Sequence, residues 1–124
     1  MKTQLARVRG LGAAHSGTEH FWRQRVTAIV GIPLTIAFAI IVVSLAGASQ
    51  ASVVATLSNP FVAMIMIATL ITLLVHMRIG MRDIIDDYVH TELRKIALLI
   101  ANTCFTLAIG LAGLYAILKI NFGL

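Results

Sequence analysis

The residues able to do chemistry crowd into one stretch, His76 to Tyr88, which reads HMRIGMRDIIDDY. A helical residue advances about 100°, so with His76 as zero, Gly80 falls at about 40°, Asp83 at about −20° and Asp87 at about 20°. These four residues form one stripe. Arg78 and Arg82 point roughly the other way, where long apolar stems let their guanidinium groups snorkel to lipid headgroups. A neutral imidazole can give a ring-nitrogen lone pair to haem iron, and a glycine one turn along the same face removes a side chain that would collide with a flat macrocycle. The same pair also suits a histidine that only hydrogen-bonds between helices.

A six-coordinate haem needs a second axial ligand. His15, His20 and His90 all lie outside the apolar runs, so a second histidine must come from another polypeptide. Beyond the stripe, the phenol of Tyr88 could donate a hydrogen bond to a quinone carbonyl, with Asp87 beside it to organise or supply protons. The alternative is plain: a tyrosine at an interface is an anchor, and acids there are solvated. Arg25 could pair with a haem propionate through its planar donors, or with lipid phosphate.

The elements that must position these residues follow from where charge is missing. The chain is 59% apolar and 12% charged, with a mean hydropathy of +0.93, against about 25% charged in soluble domains. No Asp, Glu, Lys or Arg lies between Val26 and Met77, or between Ile96 and Leu118. A hydrocarbon core of about 30 Å takes roughly 20 helical residues to cross. The fold class expected is therefore all-α, an integral membrane protein with three transmembrane helices, over about 26–45, 61–85 and 96–118. Residues 1–25 are a polar leader, ordered towards Phe21 and Trp22, and residues 26–124 the membrane domain.

Within the first span, Pro33 removes a backbone donor, and Thr27 and Thr35 are available to satisfy what it frees. Residues 46–59 are small and uncharged, which fits a short loop or interfacial turn, and Asn59-Pro60 reads as a helix start. Span two keeps its helical rhythm to about Ile85. In span three, Ala108, Ala112 and Ala116 make a ridge that would let another helix approach closely. Cys104 is the single cysteine, so no intrachain disulfide can form. No signal peptide is expected, because the polar leader runs to Arg25 and the apolar stretch after it exceeds an h-region.

The net charge of +5 does not indicate nucleic acid. Lys2, Arg7, Arg9, Arg23 and Arg25 precede the first span, and Arg78, Arg82, Arg94 and Lys95 flank the second connection. The positive-inside bias puts both segments in the cytoplasm and the C-terminus in the periplasm, against the minor dissent of Lys119. No nucleophile–base pair or phosphate-binding loop is present, so this chain is not expected to be an enzyme by itself.

Two segments resemble the hydrophobic membrane-anchor subunit of succinate dehydrogenase, respiratory complex II. One is HFWRQRVTAI, from His20 to Ile29; the other is His76 to Val89, with histidine, glycine and Asp-Tyr at the family's spacing. The resemblance implies that His76 is the haem b axial ligand on this chain, and that the other histidine belongs to the sister membrane anchor subunit of the complex, in a shared helical bundle. It implies that Tyr88 hydrogen-bonds ubiquinone with Asp87 in the same neighbourhood, and that Arg25 lies near the haem propionates. Flavin and iron–sulfur clusters would reside in the flavoprotein and iron–sulfur subunits, and electrons from succinate oxidation in the tricarboxylic acid cycle would reach quinone at the cytoplasmic face of the inner membrane. The charges at Arg78, Arg82, Asp83 and Asp86 depart from what is expected of some relatives and leave the surroundings of the quinone in question. A related fumarate reductase anchor would use similar parts in reverse. A non-haem accessory subunit would use the stripe for helix packing alone.

Overall fold

The computed structural model describes Gln4 and residues 15–124, so Lys2, Arg7 and Arg9 lie outside the described residues. From residue 15 onwards four helices follow one another: α1, His15–Ser44; α2, Gln50–Leu57; α3, Pro60–Tyr88; and α4, Glu92–Phe122. No strand occurs among the described residues. Three helices, Thr18–Ser44 of α1 together with α3 and α4, are long and apolar enough to cross a membrane. The all-α, three-span plan holds.

The helices outrun the expected spans at their charged ends. Charge bounded the spans, but charges spaced i,i+4 support a helix. Arg23 pairs with Glu19 at 2.5 Å and Arg82 with Asp86 at 3.8 Å, so α1 starts well before Val26 and α3 continues past Ile85 to Tyr88. Asp86, Asp87 and Tyr88 are thus the last turn of a helix rather than a segment after it.

The 46–59 segment is not a plain loop, because α2 occupies much of it. Ser49 caps α2 by accepting the Ser52 N–H. Its last carbonyls, at Leu57 and next to it at Ser58, accept from Asn121 Nδ2 at 3.2 and 3.0 Å, which satisfies groups a short helix otherwise leaves open. Asn59 and Pro60 start α3 as expected, with the Asn59 side chain accepting the Phe61 N–H at 2.9 Å. Gly123 ends α4 in the left-handed region at φ 69°.

The central helix is α3. Its contacts to α1 come from Thr69, Thr72, His76, Gly80 and Asp83, all within about 40° of His76, and those to α4 from Leu70, Leu74 and Arg78, at about 120–200°. α1 and α4 do not pack on each other. The three helices therefore lie side by side and leave α3 two open faces. Among the described residues, the buried side chains apart from glycine are Ala63, Thr69 and Ile85, all on α3. The other apolar residues are half-buried in the seams or exposed, as lipid or partner helices allow.

Close approach uses different small residues from those expected. Ala108, Ala112 and Ala116 are exposed and do not form the seam with α3. Gly113 and Gly110 do: a Cβ there would lie 2.8 Å from Leu70 Cδ2 and 3.3 Å from Leu74 Cδ1. α1 runs through Pro33 as one helix. Neither threonine serves the gap: Thr27 donates to the Arg23 and Gln24 carbonyls, and Thr35 makes no side-chain hydrogen bond among the described residues.

Candidate functional site

α1 and α3 run antiparallel, and three residues of α1 meet the stripe in reverse order. Thr27 Oγ1 lies 3.1 Å from His76 Nδ1, Gln24 Nε2 lies 3.5 Å from where a Gly80 Cβ would stand, and His20 Nε2 lies 2.5 Å from Asp83 Oδ1. The stripe is thus the seam with α1 as far as Asp83. The Cβ direction of Gly80 points at Gln24, at ordinary van der Waals distance, and not at the open face where a macrocycle was expected. Gln24 Oε1 is buried with no hydrogen-bond partner among the described residues.

The Thr27 contact engages Nδ1 of His76, and Nε2 has no hydrogen-bond partner among the described residues. A hydroxyl has one proton, and that of Thr27 goes to the Arg23 carbonyl at 2.8 Å or the Gln24 carbonyl at 3.1 Å. With the proton on a carbonyl the hydroxyl accepts from His76, and in that tautomer Nδ1 carries the ring proton and Nε2 keeps its lone pair. A neutral imidazole held through one nitrogen with the other open is the form that ligates a metal.

Beside the ring lies a cavity of about 390 Å³, lined by Thr27, Ala28, Gly31, Ile32, Thr35, Ile36, Leu73 and His76. Its walls are apolar, and Ala28 and Gly31 give a flat ring room to approach α1. A haem fits this donor set and surface. Among the described residues no three His, Cys, Asp or Glu side chains converge, so any iron at His76 would take its remaining ligands from porphyrin and another chain. A second apolar cavity, of about 470 Å³, continues along the same open face of α3 past Met66, Leu70, Leu73 and Met77.

Asp87 and Tyr88 sit at the tip of α3. Tyr88 is 79% exposed, Asp87 is exposed, and neither has a hydrogen bond among the described residues. By helical angle Tyr88 lies on the open face that holds both apolar cavities. Arg25 is exposed and stacks its guanidinium 5.0 Å from the Phe21 ring centre, a cation–π contact; it makes no ion pair among the described residues. His90 is exposed in the turn before α4, and the His15 side chain lies outside the described residues.

The unusual charges have internal partners. Asp83 holds His20, and Asp86 holds Lys95 at 3.2 Å and Arg82 at 3.8 Å, which ties the end of α3 to its neighbours. Arg78 does not simply snorkel away: its guanidinium reaches Thr103 Oγ1 at 3.3 Å, and its carbonyl accepts from Asn102 Nδ2 at 3.0 Å. Sequence reasoning missed Thr27 and Gln24 as partners of the stripe and His20 as the partner of Asp83. Their spacing, 20, 24 and 27, mirrors 83, 80 and 76, a complementarity that emerges only once α1 is laid antiparallel on α3.

A family model described as succinate dehydrogenase/fumarate reductase transmembrane subunit matches residues 1–110. The chain is 38% identical over 114 residues to the succinate dehydrogenase hydrophobic membrane anchor subunit of Paracoccus denitrificans, covering 92% of this chain and 88% of that one. It is 24% identical over 106 residues to the protein of the same name from Rickettsia bellii, covering 86% and 85% respectively. No solved structure matches. With three membrane-length helices and a match along most of its length, the chain belongs to the succinate dehydrogenase/fumarate reductase transmembrane subunit family.

Proposed function

We propose that this chain anchors a succinate:quinone oxidoreductase in the inner membrane and contributes half of a haem b site together with one wall of a ubiquinone site. The reading is supported by Thr27 at 3.1 Å from His76 Nδ1, which holds the ring with Nε2 unengaged among the described residues, beside an apolar cavity. His76 would hold the haem iron on this chain, and a histidine of the sister membrane anchor would hold it from the other chain. Haem bound there supplies a one-electron store. Arg25, facing the headgroups with no ion-pair partner among the described residues of its own chain, is available to a propionate.

At the tip of α3, the Tyr88 phenol donates to a carbonyl of ubiquinone and Asp87 stands beside it as a proton-exchanging group. Their lack of partners among the described residues supports this, since both stay available. The chain performs no catalysis alone; the flavoprotein and iron–sulfur subunits oxidise succinate and dock on the cytoplasmic side, where residues 1–25 and the second connection carry the basic residues. The names of both relatives favour succinate oxidation over fumarate reduction.

The test is purification of the complex followed by a reduced-minus-oxidised spectrum. Flavin and iron–sulfur subunits should co-purify, and the b-type band should vanish in His76→Ala. An unchanged band in an assembled His76→Ala complex would remove the ligand assignment.

A further inference from the structure

On the face of α3 opposite the two apolar cavities, a polar pocket of about 270 Å³ opens between α1 and α4, lined by His20, Arg23, Arg78, Arg82, Asn102 and Thr103 together with Ile79 and Leu99. Four of these eight residues carry or can carry positive charge, and none is acidic. Glu19 is taken by Arg23, Asp83 by His20, and Asp86 is shared by Arg82 and Lys95. Arg78 differs. No carboxylate lies within 4.0 Å of it among the described residues, and those residues include all five acids of the chain. Its guanidinium touches only the neutral Thr103 hydroxyl, at 3.3 Å.

The depth of Arg78 identifies the anion it lacks. α3 has 29 residues and is about 44 Å long, longer than the roughly 30 Å of hydrocarbon. Its capped start at Asn59-Pro60 suits one membrane boundary, and Arg78 lies about 27 Å further along the axis, close to the other. That is the level of lipid phosphates. Basic pockets between membrane helices on the cytoplasmic side suit anionic headgroups, an arginine fork matches phosphate oxygens, and Ile79 and Leu99 offer apolar walls to acyl chains.

We infer that this pocket is a binding site for the phosphodiester of an anionic membrane lipid, with Arg78 as its main charge partner and Arg82, Asn102 and Thr103 completing the cradle. The shared chemistry is a phosphate anion; the lipid headgroup is the source, because the pocket opens sideways to the bilayer between two helices that do not touch. The inference depends on membrane placement and not on the haem or quinone reading.

The experiment uses the intact purified complex in detergent, after exhaustive removal of lipid, titrated with phosphatidylglycerol, phosphatidylcholine or inorganic phosphate, and read as thermal stabilisation and as lipid retained in native mass spectra. Phosphatidylglycerol should stabilise and be retained, phosphatidylcholine and inorganic phosphate should do neither at equal concentration, and R78Q should weaken phosphatidylglycerol binding by about tenfold while Arg94→Gln leaves it unchanged. Equal binding by wild type and R78Q, equal response to phosphatidylcholine, or an equal response to inorganic phosphate overturns the lipid site. If R78Q instead releases a protein partner with no change in lipid, a polypeptide fills the pocket and the inference falls. Should R78Q fail to assemble, the choice between the two lipids on the wild-type complex decides the matter.

Discussion

Thr27 Oγ1 stands 3.1 Å from His76 Nδ1, joining the first and central membrane helices through one hydroxyl whose own proton is directed at a backbone carbonyl. With that proton on the carbonyl the imidazole is the donor, and in either tautomer the contact holds the ring. Partners of this kind orient a ligating ring and raise its basicity, and their loss costs about 10- to 100-fold in metal affinity. Thr27→Val keeps the shape and removes the acceptor, so haem retention on dilution should fall by that order in the assembled complex, while Thr27→Ser should retain most of it. Equal haem content per complex in Thr27→Val and wild type would show that His76 is held by something else.

Tyr88 calls for a separate measurement, because its exposed phenol makes no hydrogen bond among the described residues. On the proposed quinone reading the hydroxyl gives one hydrogen bond to the carbonyl, so Tyr88→Phe should lower quinone reduction by about tenfold with the haem band and complex yield unaltered. Steady-state succinate:quinone assays beside succinate oxidation by an artificial acceptor separate the quinone step from the rest. A parallel fall in both would point to a fault in assembly.

The three spans were legible from charge-free length, because taking a charge into hydrocarbon is costly enough to dominate other preferences. The helix ends were not: charge marks where hydrocarbon stops, whereas Glu19–Arg23 and Arg82–Asp86 keep the backbone helical into the headgroups. The stripe was legible as a stripe, since 100° per residue is a property of any helix. What it faced was not. His76, Gly80 and Asp83 look towards Thr27, Gln24 and His20, and only the register between two helices distant in sequence decides that. The Ala108, Ala112 and Ala116 ridge had the right spacing, but Gly110 and Gly113 lie on the side of α4 that α3 covers. α2 escaped notice because eight uncharged residues carry little periodicity, and its last carbonyls depend on Asn121, at the far end of the chain.

His20 and Asp83 form the polar clasp nearest the headgroups on the same seam. Their side chains are 29% and 47% exposed, so solvent weakens the pair, and about 1 kcal/mol suits a partly screened charge-assisted bond. His20→Ala should lower the thermal stability of the complex slightly, and His20→Gln, which still donates, should recover part of the loss. Asp83→Asn combined with His20→Ala should cost less than the two separate effects added together. Strict additivity would mean that the two side chains do not act as a pair.

Deeper in the membrane than its Arg78 and Asp86 contacts, the seam between α3 and α4 packs by shape and gives the most direct test of the packing. At Gly113 a methyl group would meet Leu70 Cδ2 at 2.8 Å and Cδ1 at 3.2 Å, so Leu70 must rotate or α4 must retreat. Leu70 and Gly113 also line the apolar cavity of about 470 Å³, which gives the leucine tip somewhere to go. Gly113→Ala should therefore cost about 1 kcal/mol, and Gly113→Leu, which cannot be absorbed by one rotamer change, about 3 kcal/mol or a loss of assembly. Leu70→Ala in the Gly113→Ala background should restore stability relative to the sum of the single changes, because each relieves the strain that the other meets. Thermal unfolding of the four complexes gives the coupling directly, and a coupling indistinguishable from zero would mean that α3 and α4 do not meet at these two residues.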